Sequence, residues 1–124
     1  MEKKTGQYLG TEIDEKWWKR YRKERFFARG IGEYWLDEHG FYFLRDLTQE
    51  PLFIAYESIQ EIKSGKWHSG RWSGGKDILK IIWNKEGWRL SSGFSISGEE
   101  KEMNRLIDVF KEKMKPQEKR REER

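Results

Sequence analysis

The stretch ILKIIWNKEGWRLSSGFSIS (Ile78–Ser97), followed by EEKEMNRLIDVF (Glu99–Phe110), decides the fold. Ile78 to Trp83 is the strongest apolar run in the chain and has the length of a strand. Asn84-Lys85-Glu86-Gly87 has turn chemistry, and Trp88-Arg89-Leu90 and Phe94-Ser95-Ile96 alternate apolar and polar as half-buried strands do. Gly93 interrupts that second run. The pattern then changes period. Met103, Leu106, Ile107, Phe110 and Met114 fall at i, i+3, i+4, i+7 and i+11, the stripe of an amphipathic helix. Ser97 and Glu100 form a capping box ahead of it, and Lys111, Lys113 and Lys115 suit the negative end of its dipole. Pro116 is expected to end the helix, leaving QEKRREER (117–124), which has no apolar residue, as a disordered tail from 116 onward.

Upstream, the same alternation recurs in shorter pieces. Phe26 to Gly30 reads as a first strand. Glu33-Tyr34-Trp35-Leu36 and Phe41-Tyr42-Phe43-Leu44 flank Asp37-Glu38-His39-Gly40, a hairpin loop whose glycine accepts a positive φ. Leu52-Phe53-Ile54-Ala55 starts after Pro51, where a missing N–H does little harm, and Ser58 to Ile62 reads as its continuation after a bend. The glycine-rich segment KSGKWHSGRWSGGKD (63–77) is either a long loop or a bent pair of weak strands. Near the start, Thr11 and Asp14 give a helix start signal, and Ile13, Trp17 and Tyr21 follow at spacing four. This predicts a short helix from about Glu12 to Glu24. Residues 1–10 lack periodicity and are expected to be a flexible head. One domain then runs over residues 11–115, with strands in about 26–96 and a helix over about 98–115.

Composition bounds the function. The 124 residues fit one domain, and 7 Trp, 7 Phe and 5 Tyr can fill a core although hydrophobic residues are only 35% of the chain. No run approaches the ~18 apolar residues of a membrane span. MEKKTGQYLG has no apolar segment of the secretory kind, and there are no cysteines, so the expected location is the cytoplasm. The net charge of +4 is unevenly spread. Residues 16–25 carry six bases against one acid, residues 33–62 one base against seven acids, and residues 63–98 seven bases against two acids. Such alternation differs from a uniformly basic nucleic-acid binder.

Six or seven short antiparallel strands closed by one amphipathic helix make a mainly β barrel or sandwich. The order resembles the pleckstrin-homology-like (PH-like) superfold, in particular the small bacterial and archaeal PH-like or GRAM-like domains. The resemblance rests on GEYWLDEHGFYFLR (32–45), LFIAYESIQEI (52–62), ILKIIWNKEGWRLSSGFSIS and EEKEMNRLIDVF, and covers about Phe26 to Met114. It implies a binding module for phospholipid headgroups, peptides or proteins rather than an enzyme. Phosphoinositide-binding members place Lys and Arg on the first two strands and the loop between them. Here that junction is Arg29-Gly30-Ile31-Gly32 followed by Glu33, so any lipid contact is expected on another surface.

Motif chemistry agrees with a binding role. Gly70 to Lys76 has the spacing of a phosphate-binding loop, but Asp77 stands where Ser or Thr should hold magnesium, and the loop opens a strand pattern instead of a helix. His39 and His68 lack a metal-ligand spacing, and no Gly-x-Ser-x-Gly elbow occurs. Neither a metal, a cofactor nor catalysis is expected. The candidate binding residues are Lys66, Trp67, His68, Arg71, Trp72 and Lys76, where cations alternate with indoles, extended by Lys19, Arg20 and Lys23 of the basic segment. The competing expectation is that one indole packs inside, the other shields a sheet edge, and the bases are solvated. Protein interaction, scaffolding or self-association is the first functional expectation. Peripheral attachment to an anionic membrane or binding of an anionic ligand is the alternative, and nucleic-acid binding is third.

Overall fold

The computed structural model describes residues 3–23, 26, 28–72, 74, 77–96 and 100–122, with 71 and 115–122 described by backbone alone. The elements are β1 (Lys4–Ile13), β2 (Lys16–Arg20), β3 (Gly30–Leu36), β4 (Gly40–Arg45), β5 (Leu52–Ala55), β6 (Ile59–Gly65), β7 (Trp67–His68), β8 (Arg71–Trp72), β9 (Ile78–Lys85), β10 (Trp88–Ile96) and α1 (Glu100–Glu122). Eight strands form one antiparallel sheet in the order β5-β4-β3-β1-β10-β9-β6, with β2 paired to β1, and β7 and β8 form a separate ribbon. Among the described residues the sheet is open: β5 and β6 are its two ends and do not pair, so of the expected barrel or sandwich the barrel is not closed.

The sheet nevertheless curls. β4 and β10 are three strand steps apart, roughly 14 Å on a flat sheet. The rings of Phe41 (β4) and Phe94 (β10) are 4.8 Å apart, so they meet across a concave face. A bulge in β1 between Tyr8 and Gly10, with Gly10 at φ +109, supplies part of the bend. The core fills the concavity with Tyr8, Tyr34, Phe41, Phe43, Leu79, Ile81, Leu90 and Phe94. α1 covers it with Met103, Leu106 and Phe110, while Ile107 and Met114 pack at the margin. The stripe read from the sequence is therefore the buried face.

Several expectations need correction. Among the described residues there is no N-terminal helix: Glu12 to Ile13 end β1 and Lys16 to Arg20 are β2. Spacing four suited a helix, but Thr11, Glu12 and Ile13 pair with Ser92, Ser91 and Leu90 of β10, and that ladder overrides local preference. The Thr11 hydroxyl caps nothing; it bonds the Tyr8 hydroxyl at 2.6 Å and the Ser92 hydroxyl at 2.7 Å. Nor are residues 4–10 a loose head, for they lie in the middle of the sheet, with Tyr8 and Leu9 buried. Of the stretch 26–30, only Gly30 among the described residues is in a strand, although the Phe26 ring joins the core. A 3₁₀ turn at Tyr56–Ser58 separates β5 from β6, which crosses to pair with β9.

At the other end, α1 continues through Pro116 to Glu122. Proline removes one backbone bond, but the following Glu, Lys and Arg residues are strong helix formers. The proposed capping serine, Ser97, lies outside the described residues. The glycine-rich segment is the bent strand pair, β7–β8, turning at Ser69 (φ 51) and Gly70 (φ 79).

Candidate functional site

The bulge in β1 and the Ser69-Gly70 turn meet on the convex side of the sheet. His68 alternates inward from β7 and lies flat against Gly93 of β10. A Cβ on Gly93 would fall 2.8 Å from His68 Nε2 and closer still to the ring carbons, so only glycine fits there. Gly93 therefore marks where the ribbon rests on the sheet. Ile78 and Ile82, which alternate to this convex face, are fully buried as well.

Three polar ties hold the ribbon down. His68 Nε2 is 2.9 Å from the Gly10 carbonyl. The Ser69 N–H donates to Glu12 Oε2 at 2.7 Å. Arg29 donates through Nε to the Leu9 carbonyl at 2.8 Å, and through Nη2 to the Ser69 carbonyl and hydroxyl, both at 3.1 Å. A carbonyl only accepts, so Nε2 of His68 carries a proton. Burial lowers the His68 pKa, outweighing the nearby Glu12 carboxylate, which raises it. The ring is therefore neutral near pH 7 and its Nδ1 is a bare acceptor. That atom is 3.8 Å from Glu12 Oε1, another acceptor, and has no hydrogen-bond partner among the described residues.

Between the ribbon and the β1–β2 hairpin lies a cleft of about 630 Å³, lined by Glu12, Glu15, Trp17, Trp67, His68, Gly70, Lys80 and Ser91. Trp17 and Trp67 flank it, one from each hairpin; the Trp17 ring lies 3.4 Å from the position a Cβ on Gly70 would take. Ser91 Oγ, buried, has no partner among the described residues either. Glu15 is engaged by Lys63 at 2.8 Å and Arg89 at 2.7 Å, and those two bonds hold its carboxyl below the usual range.

Around the cleft, four indoles face water. Trp17, Trp18, Trp67 and Trp72 are 62%, 61%, 61% and 60% exposed. Trp17 and Trp18 meet edge to face at 5.7 Å, and Trp67 and Trp72 are directly opposed on the ribbon. Lys16 and Lys19 flank the first pair on β2 and are exposed.

Of the residues singled out from sequence, Trp67 and His68 line the cleft and Trp72 stands on the same ribbon. His68 is there as a buried, neutral anchor, not as a surface cation. Lys66 is tied to Asp77 at 2.6 Å. Arg20 turns its guanidinium toward Gly10, and the Lys23 ammonium sits 5.9 Å from the Trp88 ring, so neither joins the cleft lining. Arg71 pairs with His68 in the ribbon, and Lys76 lies outside the described residues. The expectation that one indole of the ribbon packs inside is not met. Sequence reading missed Glu12, Glu15, Trp17, Lys80, Ser91 and the platform glycine, Gly93. The Ser69-Gly70 dipeptide, a turn signal, was the available clue to a ribbon with paired tryptophans.

Among the described residues no cluster of His, Asp and Glu could hold a metal ion, and no helix is long and apolar enough to cross a membrane. None of the curated proteins matches the chain. A family model described as "Bacterial PH domain-like" matches residues 1–110, from the start of the chain to the last fully buried ring of α1. PH-like domains are in general non-catalytic binding modules. The match spans every strand and the buried part of the helix, and by it the chain belongs to the bacterial PH domain-like family.

Proposed function

We propose that this chain is a non-catalytic PH-like module that docks peripherally on an anionic membrane surface through the four-tryptophan face. The observation that carries the reading is the exposure of Trp17, Trp18, Trp67 and Trp72 on two hairpins that touch. A contiguous exposed aromatic patch marks a contact surface. The neighbouring residues select the kind of contact. Lysine is depleted from protein–protein interface cores, but indoles interleaved with Lys and Arg suit the headgroup layer. β2 has that pattern in Lys16-Trp17-Trp18-Lys19-Arg20. Arg29, the base nearest the usual headgroup junction, is instead engaged with Leu9 and Ser69, which favours a surface elsewhere.

The test is sedimentation with phosphatidylcholine vesicles and with vesicles containing phosphatidylserine. The expected result is binding to the anionic vesicles that weakens with salt, because the Debye length falls from ~10 Å at 0.1 M to ~3 Å at 1 M. Replacing Trp17 and Trp67 by Ala should abolish it without unfolding the chain, since both side chains are largely exposed. Failure to sediment with either vesicle would remove the membrane reading and favour a protein partner or self-association.

A further inference from the structure

We propose that the cleft between Trp17 and Trp67 is a binding site for a neutral sugar ring of the hexopyranose type. The sugar could arrive as a free saccharide or as the headgroup of a glycolipid. The inference goes beyond membrane docking, because it rests on the cleft alone.

Size comes first. At about 630 Å³ the cleft lies within the ~300–1,000 Å³ of small-ligand pockets and exceeds what a few waters need. Its walls are two indoles whose faces carry partial negative charge. A pyranose ring presents patches of C–H groups that pack against such faces.

The inner end sets the polarity. His68 and Ser91 line the cleft, and their Nδ1 and Oγ atoms are buried and lack partners among the described residues. Native proteins rarely leave buried polar atoms unpaired, so each such atom calls for an explanation. His68 Nδ1 and Glu12 Oε1 are two acceptors 3.8 Å apart, an arrangement that a shared donor would relieve. Ser91 Oγ can donate or accept, and the Lys80 ammonium donates. A ligand hydroxyl also donates and accepts at once, so a polyhydroxylated ring can answer this mixed set.

Charge argues against an ion. Glu12 and Lys80 carry opposite signs, His68 is neutral, and Glu15 is already engaged by Lys63 and Arg89. An anion would meet Glu12 and the bare Nδ1, whereas a cation would meet Lys80. The floor is also rigid: His68 is fixed by Gly10 and Gly93, and Ser69 by Glu12 and Arg29. Preorganisation of this kind lowers the ordering cost of binding.

The test is calorimetric titration of the full chain with glucose, galactose, N-acetylglucosamine and glucose 6-phosphate. Saturable binding of at least one neutral hexose is expected, with Kd on the order of 1 mM. Ser91→Ala and Trp67→Ala should each weaken it about tenfold or more while circular dichroism stays unchanged. The phosphorylated sugar should bind no more tightly than glucose. In a second arm, phosphatidylcholine vesicles with and without a monohexosyl diacylglycerol separate a lipid headgroup from a free sugar as the source. No saturable hexose binding would mean that water alone fills the cleft and would overturn the proposal. Binding that ignores both substitutions, or that strengthens strongly with the phosphate, would overturn it too. Hexose binding without anionic-vesicle binding would sink only the docking reading, and the reverse result would sink only this one.

Discussion

Gly93→Ala places one methyl group where the His68 ring lies. The added Cβ would sit 2.8 Å from Nε2 and closer to Cγ and Cδ2, inside any tolerated contact. Two responses are open to the chain. If the ring stays, the overpacking costs about 1–3 kcal/mol. If the ring moves, the bond to the Gly10 carbonyl is lost and buried polar groups go unpaired, at about 1–3 kcal/mol. Against either runs the gain from replacing glycine in a strand, about 0.5–1 kcal/mol. The net expectation is a loss of about 1–2 kcal/mol in a urea melt. The same change in a His68→Ala background meets no ring and should be neutral or slightly stabilising, giving a coupling energy of about 1–3 kcal/mol in the double-mutant cycle. A Gly93→Ala variant as stable as the parent, or one whose cost is the same without His68, would refute the packing of the ribbon on β10.

Phe110 has no exposed surface and its ring meets Phe41 at 5.8 Å and Tyr56 at 6.2 Å, so Phe110→Ala should cost about 3–5 kcal/mol in a chemical melt. A loss under about 1 kcal/mol would mean that α1 is peripheral. His68 gives a pH dependence of definite sign. Its pKa is lowered on folding from the ordinary 6.5, so below that pH the unfolded chain takes up the proton first. Stability should therefore fall as pH drops through about 6.5, and keep falling until the folded-state pKa is reached. Urea melts from about pH 7.5 to about pH 5.5 should show this slope, and His68→Ala should flatten it. An unchanged slope in that variant would assign the effect to other groups.

Much of the fold was legible where pattern and local chemistry agree. The β9–β10 hairpin follows from an apolar run, a Glu86-Gly87 turn with both residues at positive φ, and an alternating return strand. The buried face of α1 follows from spacing alone. The N-terminal part was not legible because its evidence is distant. Lys4 to Ile13 is a strand by virtue of β3 and β10, which come from much later in the chain. Ile13, Trp17 and Tyr21 match a helical stripe, but the Asp14-Glu15 turn divides Ile13 of β1 from Trp17, which is exposed on β2, and from Tyr21, which is buried just past it. The site shows the same division. Indoles alternating with bases in the glycine-rich segment pointed to the right ribbon. Its charges could not be read, because Lys66 finds Asp77 and His68 is buried against Gly93 only after folding. Trp17 and Trp67 are far apart in sequence, and only the meeting of two hairpins makes them opposite walls of one cleft.

The docking claim is tested most directly by tryptophan quenching on vesicles. The chain has 7 Trp, of which Trp17, Trp18, Trp67 and Trp72 form the exposed face and Trp83 is buried in the core. On phosphatidylserine-containing vesicles doped with brominated lipid, emission should be quenched and shifted to shorter wavelength. With those four residues changed to Phe, the remaining indoles, Trp35, Trp83 and the 40% exposed Trp88, should show neither effect, because none of them stands on β2 or on the β7–β8 ribbon. Unquenched emission from the parent chain bound to vesicles, or equal quenching in the four-Phe variant, would contradict docking through this face.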